Sequence, residues 1–300
     1  MKFLVNLALK IRGSLNKGGD YNYLSAITMG NSIPKVIHQT YYNKKLPSEI
    51  QQNVEHLKSM NPDWEYRLYD DKDIEAYISL YYPKLLSIYR KINPVYGAAK
   101  ADFFRYLVIY NEGGVYLDIK SSAIKPLNEV LLPTDKYLLC HWQNDLGQIH
   151  EKIGFHACIA NPLGEFQQWH IAAIKGHPFL KAVVENVCNN INHYNPLIHD
   201  TGGWAVVNST GPIAYTLAIS PILNLYSHRL ERDNSDFGFI YSIYESKGLG
   251  MGHYSNHKKH YTLRNDSLTK LPKFAQLLFN TTKPAIKLLK AILIKLRKSN

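Results

Sequence analysis

The sequence predicts an α/β fold, a sheet with parallel pairings flanked by helices. Three observations carry this. Short apolar runs of strand length alternate with longer segments of helical period. The runs end on charged residues, as at Tyr69-Asp70-Asp71 and Leu117-Asp118. Pro and Gly punctuate the boundaries, at Pro34, Pro47, Pro83, Gly113-Gly114 and Pro212. With 300 residues and 45% hydrophobic content, the chain can bury one large core or two modest ones.

Asn16 to Asn31, rich in Gly, Ser and Asn, reads as a leader. The first strand is Lys35-Val36-Ile37-His38-Gln39, entered through Pro34. Pro47-Ser48-Glu49 opens a helix that should run to Met60. Trp64 to Tyr69 alternates apolar and polar residues as a second strand, and two helices separated at Pro83 follow. Gly97 to Tyr110 is the most helix-like stretch, with Ala98, Ala99, Ala101, Phe103, Phe104, Leu107 and Val108 giving a broad apolar surface. Asn111-Glu112-Gly113-Gly114 stops it, and Val115-Tyr116-Leu117 forms a short buried strand ending at Asp118. Further strands are predicted at Tyr137 to Trp142 and Gly154 to Ala160. Helices are predicted at Glu165 to Lys175, at Pro178 to His193, and from Pro212 after Ser209-Thr210-Gly211.

Composition narrows the function classes. The net charge of +11 suggests nucleic acid until it is located. Eight basic residues follow Asp266 with no acidic partner, so the rest of the chain carries only +3. Basic residues are not interleaved with aromatics along any strand pair, which argues against a nucleic-acid partner. In Pro284 to Lys298, Leu288, Leu289, Ile292, Leu293 and Leu296 share one helical face. Lys287, Lys290, Lys295, Arg297 and Lys298 take the other. That pattern suits a helix lying in an anionic membrane surface, at about 1 kcal/mol per basic residue. A helix docked on the protein's own core, its lysines solvated, is the alternative.

The apolar run Phe3 to Leu9 is interrupted by Asn6 and lacks a cleavage site, so it does not read as a signal peptide. No uninterrupted apolar stretch reads as long enough to span a bilayer. Cys140, Cys158 and Cys188 form neither a disulfide framework nor a CxxC site, which points to a reducing compartment. The 22 tyrosines suit sugar and base contacts, although ordinary half-buried aromatics account for most of them.

The chemistry concentrates in Tyr96 to Lys120. Asp102 and Arg105, spaced i, i+3, project from one helix face, expected to be exposed above the strand ends. The Gly-Gly turn reverses the chain, and the next strand delivers Asp118 at its C-terminal end, where ligands bind in open α/β sheets. A helix salt bridge plus an incidental strand-end Asp would give the same spacing.

This segment resembles the sugar-binding region of glycosyltransferase family 32 and, more distantly, the glucosylating domains of the large clostridial toxins. Ala101-Asp102-Phe103-Phe104-Arg105 and Gly113-Gly114-Val115-Tyr116-Leu117-Asp118 match A/S-D-x-x-R and G-G-x-Y-L-D in order and spacing. Ile33 to Thr40 is similar to the family's first strand, Asn61 to Tyr66 to its second, and Ser209-Thr210-Gly211-Pro212 to its later T-G-P element. The resemblance covers roughly Ile33 to Pro212.

The resemblance implies a GT-A type fold and transfer of a hexose from a UDP- or GDP-hexose donor, with retention of anomeric configuration. The implied acceptor is a glycan or lipid-linked glycan, as in capsule or O-antigen synthesis. It implies that His38, Gln39 and Thr40 line the nucleotide pocket, and that Asp102 and Arg105 hold the sugar hydroxyls and the diphosphate side. Tyr116 and Asp118 would contact base, ribose or metal. Gly211 and Pro212 would sit on the donor side, and His253 and His257 would lie in a segment closing over the diphosphate, unless that segment is a solvated loop. Asp200-Thr201-Gly202-Gly203-Trp204 lines the acceptor side or is a structural turn.

The family's second aspartate is replaced by Lys120, which speaks against a resident Mn2+ or Mg2+. Either Asp118 holds a metal with more distant groups, or Lys120 itself neutralises the diphosphate, or Lys120 points into solvent. The same departure admits a catalytically inactive, carbohydrate-binding scaffold. The expected organisation is a leader at 1–31, a transferase domain at 32–265 and a basic amphipathic tail at 266–300. The expected place of work is peripheral, on the cytoplasmic face of the cytoplasmic membrane.

Overall fold

The computed structural model describes residues 22–196, 199–244 and 266–272, with residues 277, 279 and 281. Its centre is a four-stranded sheet of β1 (Val36–Thr40), β2 (Glu65–Tyr69), β3 (Gly114–Leu117) and β6 (His170–Ala173), in the order β2-β1-β3-β6. β1 runs parallel to β2 and to β3, and β6 runs antiparallel to β3. Two small sheets flank it. β5 (Leu138–His141) pairs in parallel with β7 (Arg229–Asp233), and β4 (Ser122–Ala123) pairs antiparallel with β8 (Phe239–Ile240). The helices are α1 (Ser48–Met60), α2 (Asp71–Tyr81), α3 (Pro83–Tyr89), α4 (Gly97–Glu112), α5 (Leu127–Val130), α6 (Pro178–Asn192), α7 (Gly203–Ser209) and α8 (Pro212–Ile219). This mixed sheet, mostly parallel and flanked by helices, bears out the α/β expectation.

Strand periodicity divides the interior into two cores. Val115 and Leu117 of β3 pack with Ile37, Leu57, Trp64 and Trp169. Tyr116, pointing the other way, packs with Phe103, Phe104 and Leu107 of α4. α4 is apolar nearly all round and buried accordingly, with Asp102 and Arg105 at 2% and 3% exposure. The exposed face expected for these two residues is therefore a buried one, covered by the approach to β6 and by the turn after α7.

The turn between α4 and β3 admits only glycine. Gly113 and Gly114 have φ of 76° and 101°. A Cβ at Gly114 would lie 2.6 Å from the Val36 carbonyl oxygen and 3.1 Å from His38 Nε2. Gly114→Ala should therefore part β3 from β1 and cost about 3 kcal/mol or more, read as a lower urea midpoint. An unchanged midpoint would show that the turn relaxes freely.

Two predicted elements differ. Glu165 to Lys175 is not a helix; it runs extended into β6. An apolar run of this length fits a buried helix or a doubly covered strand equally, and pairing decides: Gln167 N bonds Cys140 O and Ile174 N bonds Lys136 O. Gly154 to Ala160 is a chain of turns rather than a strand. Gly154 there takes a φ of 83°, and a Cβ on it would lie 2.9 Å from Trp142 Cδ1.

A stretch absent from the sequence reading also emerges. Gly203–Leu225 spans 23 residues and holds an 18-residue window of mean hydropathy 1.2, the length and composition of a membrane span. It folds as α7, α8 and a 3-10 turn (Ser220–Leu225), broken at Thr210-Gly211, with 56% of that window buried in the protein. Pro212 sets the break, being fit for the first turn of a helix and unfit for its interior.

At the far end of the chain, Thr269 bridges Ile92, Leu268 is fully buried, and Leu268 O accepts from Asn93 N at 2.7 Å. The amphipathic segment 284–298 lies outside the described residues, as does the first part of the leader, 1–21. The described part of the leader is docked, with Leu24 N donating to Glu185 Oε1 at 2.8 Å.

Candidate active site

Because β1, β2 and β3 are parallel, their C-terminal ends, Thr40, Tyr69 and Leu117, lie on one edge of the sheet. Asp118 follows β3 directly and is held there by its N–H, which donates to Trp169 O at 2.9 Å. Arg105 reaches it from α4. Its NH2 lies 2.8 Å from Asp118 Oδ1 and 3.3 Å from Asp102 Oδ1. Its NH1 donates to both the backbone and side-chain oxygens of Gln168, each at 2.8 Å. The guanidinium carbon sits 4.6 Å from the centre of the Tyr116 ring.

Asp102 completes the clamp. Its Oδ2 accepts from Thr210 Oγ1 at 2.8 Å and its Oδ1 from Gln168 Nε2 at 3.2 Å. Tyr106 braces both partners, donating to Thr210 O at 2.9 Å and to Gln168 Oε1 at 3.1 Å. Burial pushes the Asp102 carboxyl up, against the pull of Arg105 and Thr210. Burial works most strongly against the Arg105 charge, but Asp118, Tyr116, Asp102 and Tyr106 together outweigh it and push the guanidinium up.

Exposure grades the group. The side chains of Asp102 and Arg105 are 3% and 4% exposed, and that of Asp118 is 26%. Asp118 is therefore the member that faces outward, with Arg105 directly behind it. Arg105 Nε is buried with no acceptor among the described residues, a donor that calls for a water or a ligand oxygen.

The predicted nucleotide residues on β1 split by face. Thr40 Oγ1 and the Tyr116 hydroxyl are 2.8 Å apart. Gln39 is fully buried, donating to Asp118 O at 3.2 Å and accepting from Tyr66 at 2.8 Å. His38 is also fully buried. Its Nε2–H donates to Gly113 O at 3.1 Å and its Nδ1 accepts from Tyr69 at 3.0 Å, which fixes the neutral tautomer. Gly211 and Pro212 form the turn that carries Thr210 to Asp102. His253 and His257 lie outside the described residues.

Lys120 does not point into solvent. Its Nζ lies 3.8 Å over the Tyr241 ring, in a turn closed by Ser121 N donating to Asp118 O at 2.7 Å. Among the described residues no three His, Cys, Asp or Glu side chains converge as metal ligands. Asp118 offers one carboxylate, already engaged by Arg105, so these residues do not fit a resident divalent cation. A cleft of about 490 Å³ between β2 and α2, lined by Lys44, Tyr66, Asp73 and Tyr77, shares no residue with the clamp.

Sequence reasoning missed Gln168 and the hydroxyl of Thr210. The T-G-P element pointed toward Thr210; nothing in Gln167-Gln168-Trp169 singles out Gln168, which lies in a segment read as helix.

Buried neutral histidines make the fold acid-sensitive. Burial lowers His38 and His177 to about 4 and His170 to about 3, from an ordinary 6.5. Above 6.5 neither folded nor unfolded chain binds these protons. Between 6.5 and about 4 only the unfolded chain does, so stability falls as pH falls, by roughly 1.4 kcal/mol per unit for each histidine. Asp102, with its carboxyl raised, opposes this. Urea midpoints should drop steeply from pH 7 to pH 5.5; a flat profile overturns the assignment.

Residues 47–138 match the family described as "Glycosyltransferase sugar-binding region containing DXD motif". The chain is 28% identical over 194 residues to inositol phosphoceramide mannosyltransferase 3 of Schizosaccharomyces pombe, across 64% of this chain and 46% of that one. It is 26% identical over 212 residues to an initiation-specific alpha-1,6-mannosyltransferase of Candida albicans, across 64% and 53%. Among solved structures, the PaToxG glycosyltransferase aligns over 95% of each chain at 17% identity, with a TM-score of 0.44. The family match lies within residues 47–138. The sequence matches support a glycosyltransferase of the family-32 kind. It spans about half the length of these curated relatives.

Proposed function

We propose that this protein transfers a hexose from a nucleotide-sugar donor to a glycan or glycolipid acceptor, with the Arg105–Asp118–Asp102 clamp as its donor site. The observation that carries the reading is the orphan Arg105 Nε, buried behind a partly open Asp118 at the strand ends. Asp118 meets the donor, and Arg105 supplies fixed positive charge where the departing diphosphate gathers negative charge. Gln168, Thr210 and Tyr106 hold both groups before the donor arrives, so little reorganisation attends the reaction.

Mannose is the proposed sugar, since both yeast relatives are named mannosyltransferases. Retention is the proposed outcome. Inversion needs a carboxylate free to act as base on the acceptor, and both clamp carboxylates are tied to Arg105. The basic segment 284–298 is proposed to hold the protein at an anionic membrane surface, near a lipid-linked acceptor.

Thermal unfolding against a panel of UDP- and GDP-hexoses tests the donor assignment. One donor should raise the melting point in the wild-type protein and fail to do so in Asp118→Ala. No response to any donor, together with no hydrolysis of any, overturns the reading. Proton NMR of the first product anomer tests retention.

A further inference from the structure

We propose that Trp204, His156 and Glu165 form an acceptor subsite holding a pyranose ring of the glycan or glycolipid, beside the Arg105 clamp. The proposal rests on the transferase reading above and locates its second substrate. Of the four tryptophans, Trp64, Trp142 and Trp169 are buried, whereas Trp204 is 59% exposed. An indole held in water offers a flat apolar face, the surface on which the C–H face of a pyranose packs.

The ring is braced. Its edge meets His156 at 85°, with 6.0 Å between centroids. His156 Nε2 lies 2.7 Å from Glu165 Oε2, and Glu165 Oε1 accepts the Trp142 indole N–H at 3.0 Å. Glu165 is buried, so a line of contacts runs from the core to the exposed indole. The second ring nitrogen of His156, Nδ1, has no hydrogen-bond partner among the described residues and can take a sugar hydroxyl. Polar groups beside an aromatic face are what a sugar, unlike a plain apolar ligand, requires.

Two separate segments tie this trio to the clamp. α7 carries Trp204 and ends at Ser209, immediately before Thr210, whose hydroxyl holds Asp102. At the helical rise, six residues place Trp204 about 9 Å from Thr210 along the axis. Glu165 stands three residues before Gln168, which holds Arg105, at most about 10 Å of extended chain. The first route sets the Trp204 backbone beside the residue that holds Asp102, and the second ties Glu165 to the residue that holds Arg105. The loops that deliver the trio also contain Lys152 and Asp200, with φ of 69° and 67°, the non-glycine residues of positive φ among the described residues. Such backbone persists where its surroundings fix it.

The test uses the full chain and its tryptophan emission, titrated with methyl α-pyranosides of mannose, glucose and galactose and with α-1,6-mannobiose. A saturable change with at least one sugar, absent in Trp204→Ala and weakened in His156→Ala, is the expected result. In transfer assays Trp204→Ala should raise the acceptor KM about tenfold while kcat at saturating acceptor stays close to wild type, and Trp204→Phe should recover most of the loss. An unchanged acceptor KM in a Trp204→Ala protein that melts normally overturns the subsite. So does an emission change caused by phosphatidylcholine vesicles and by none of the sugars. Donor hydrolysis by the wild-type protein without acceptor keeps the two layers apart. Its presence with an unaltered acceptor KM removes the subsite alone; its absence, with no transfer, removes the transferase reading and the subsite with it.

Discussion

Arg105→Lys is expected to lower kcat about 100-fold while the protein stays folded, and Arg105→Ala to lower it about 1,000-fold with a large loss of stability. The two substitutions separate charge from geometry. The guanidinium places four hydrogen-bond or ion-pair contacts on three residues, Gln168, Asp102 and Asp118. A lysine ammonium keeps the charge but cannot span that fork, so Asp118 loses its fixed direction. Alanine removes the charge too and strands Asp102, whose side chain is 3% exposed, without its cation. Removing one partner of a buried pair costs roughly 3–5 kcal/mol, so urea unfolding must accompany the kinetics. A double substitution with Asp118→Ala then divides Arg105's work. If Arg105 acts only by aiming Asp118, the pair together loses no more than Asp118→Ala alone. If it also meets the donor through Nε, the losses accumulate. Near-wild-type turnover in a folded Arg105→Lys protein sinks the clamp.

Much of this site was legible in the sequence, because its parts are local. An i, i+3 pair on a helix, a Gly-Gly reversal and a strand-end aspartate are each fixed by short-range geometry. The structure brings Asp102, Arg105 and Asp118 together as the spacing implied. Their burial was not legible, since it depends on what covers α4: the approach to β6, residues 63 positions downstream through Gln168, and Thr210, 108 positions from Asp102. Periodicity also failed where a strand is covered on both sides. Trp169 to Ile174 is apolar apart from His170 and shows no alternation, and only its pairing partners make it a strand. The subsite around Trp204 lay further out of reach, because the turns of Gly154 to Ala160 carry no period at all. The bond of Glu165 N to Gly154 O, at 2.9 Å, folds the two segments together, and His156 then meets Glu165 side chain to side chain.

Lys120→Ala should slow transfer about 10- to 100-fold, more than a chelator slows the wild-type protein. The resemblance to glycosyltransferase family 32 implies a second aspartate where Lys120 stands, and the surroundings of Lys120 hold it rather than turn it away. Its turn is closed by Ser121 N on Asp118 O, and the turn is anchored twice: Ser121 Oγ donates to Tyr241 O at 2.7 Å, and Asn53 Nδ2 donates to Ser121 O at 2.8 Å. The ammonium rests on the Tyr241 ring at 3.8 Å, a contact worth about 0.5–2 kcal/mol that helps keep a cation two residues from Asp118. A cation so placed can sit on a diphosphate oxygen as a point charge, the part a divalent ion plays beside a second carboxylate. A divalent ion needs several oxygens, and the one carboxylate at hand already engages Arg105. EDTA should therefore lower the rate only modestly. Tyr241→Leu, which removes the ring contact and keeps the ammonium, should cost less than Lys120→Ala. Lys120→Asp should restore a response to manganese. Complete loss of transfer in EDTA, recovered with manganese, sinks this assignment and makes Asp118 a metal ligand.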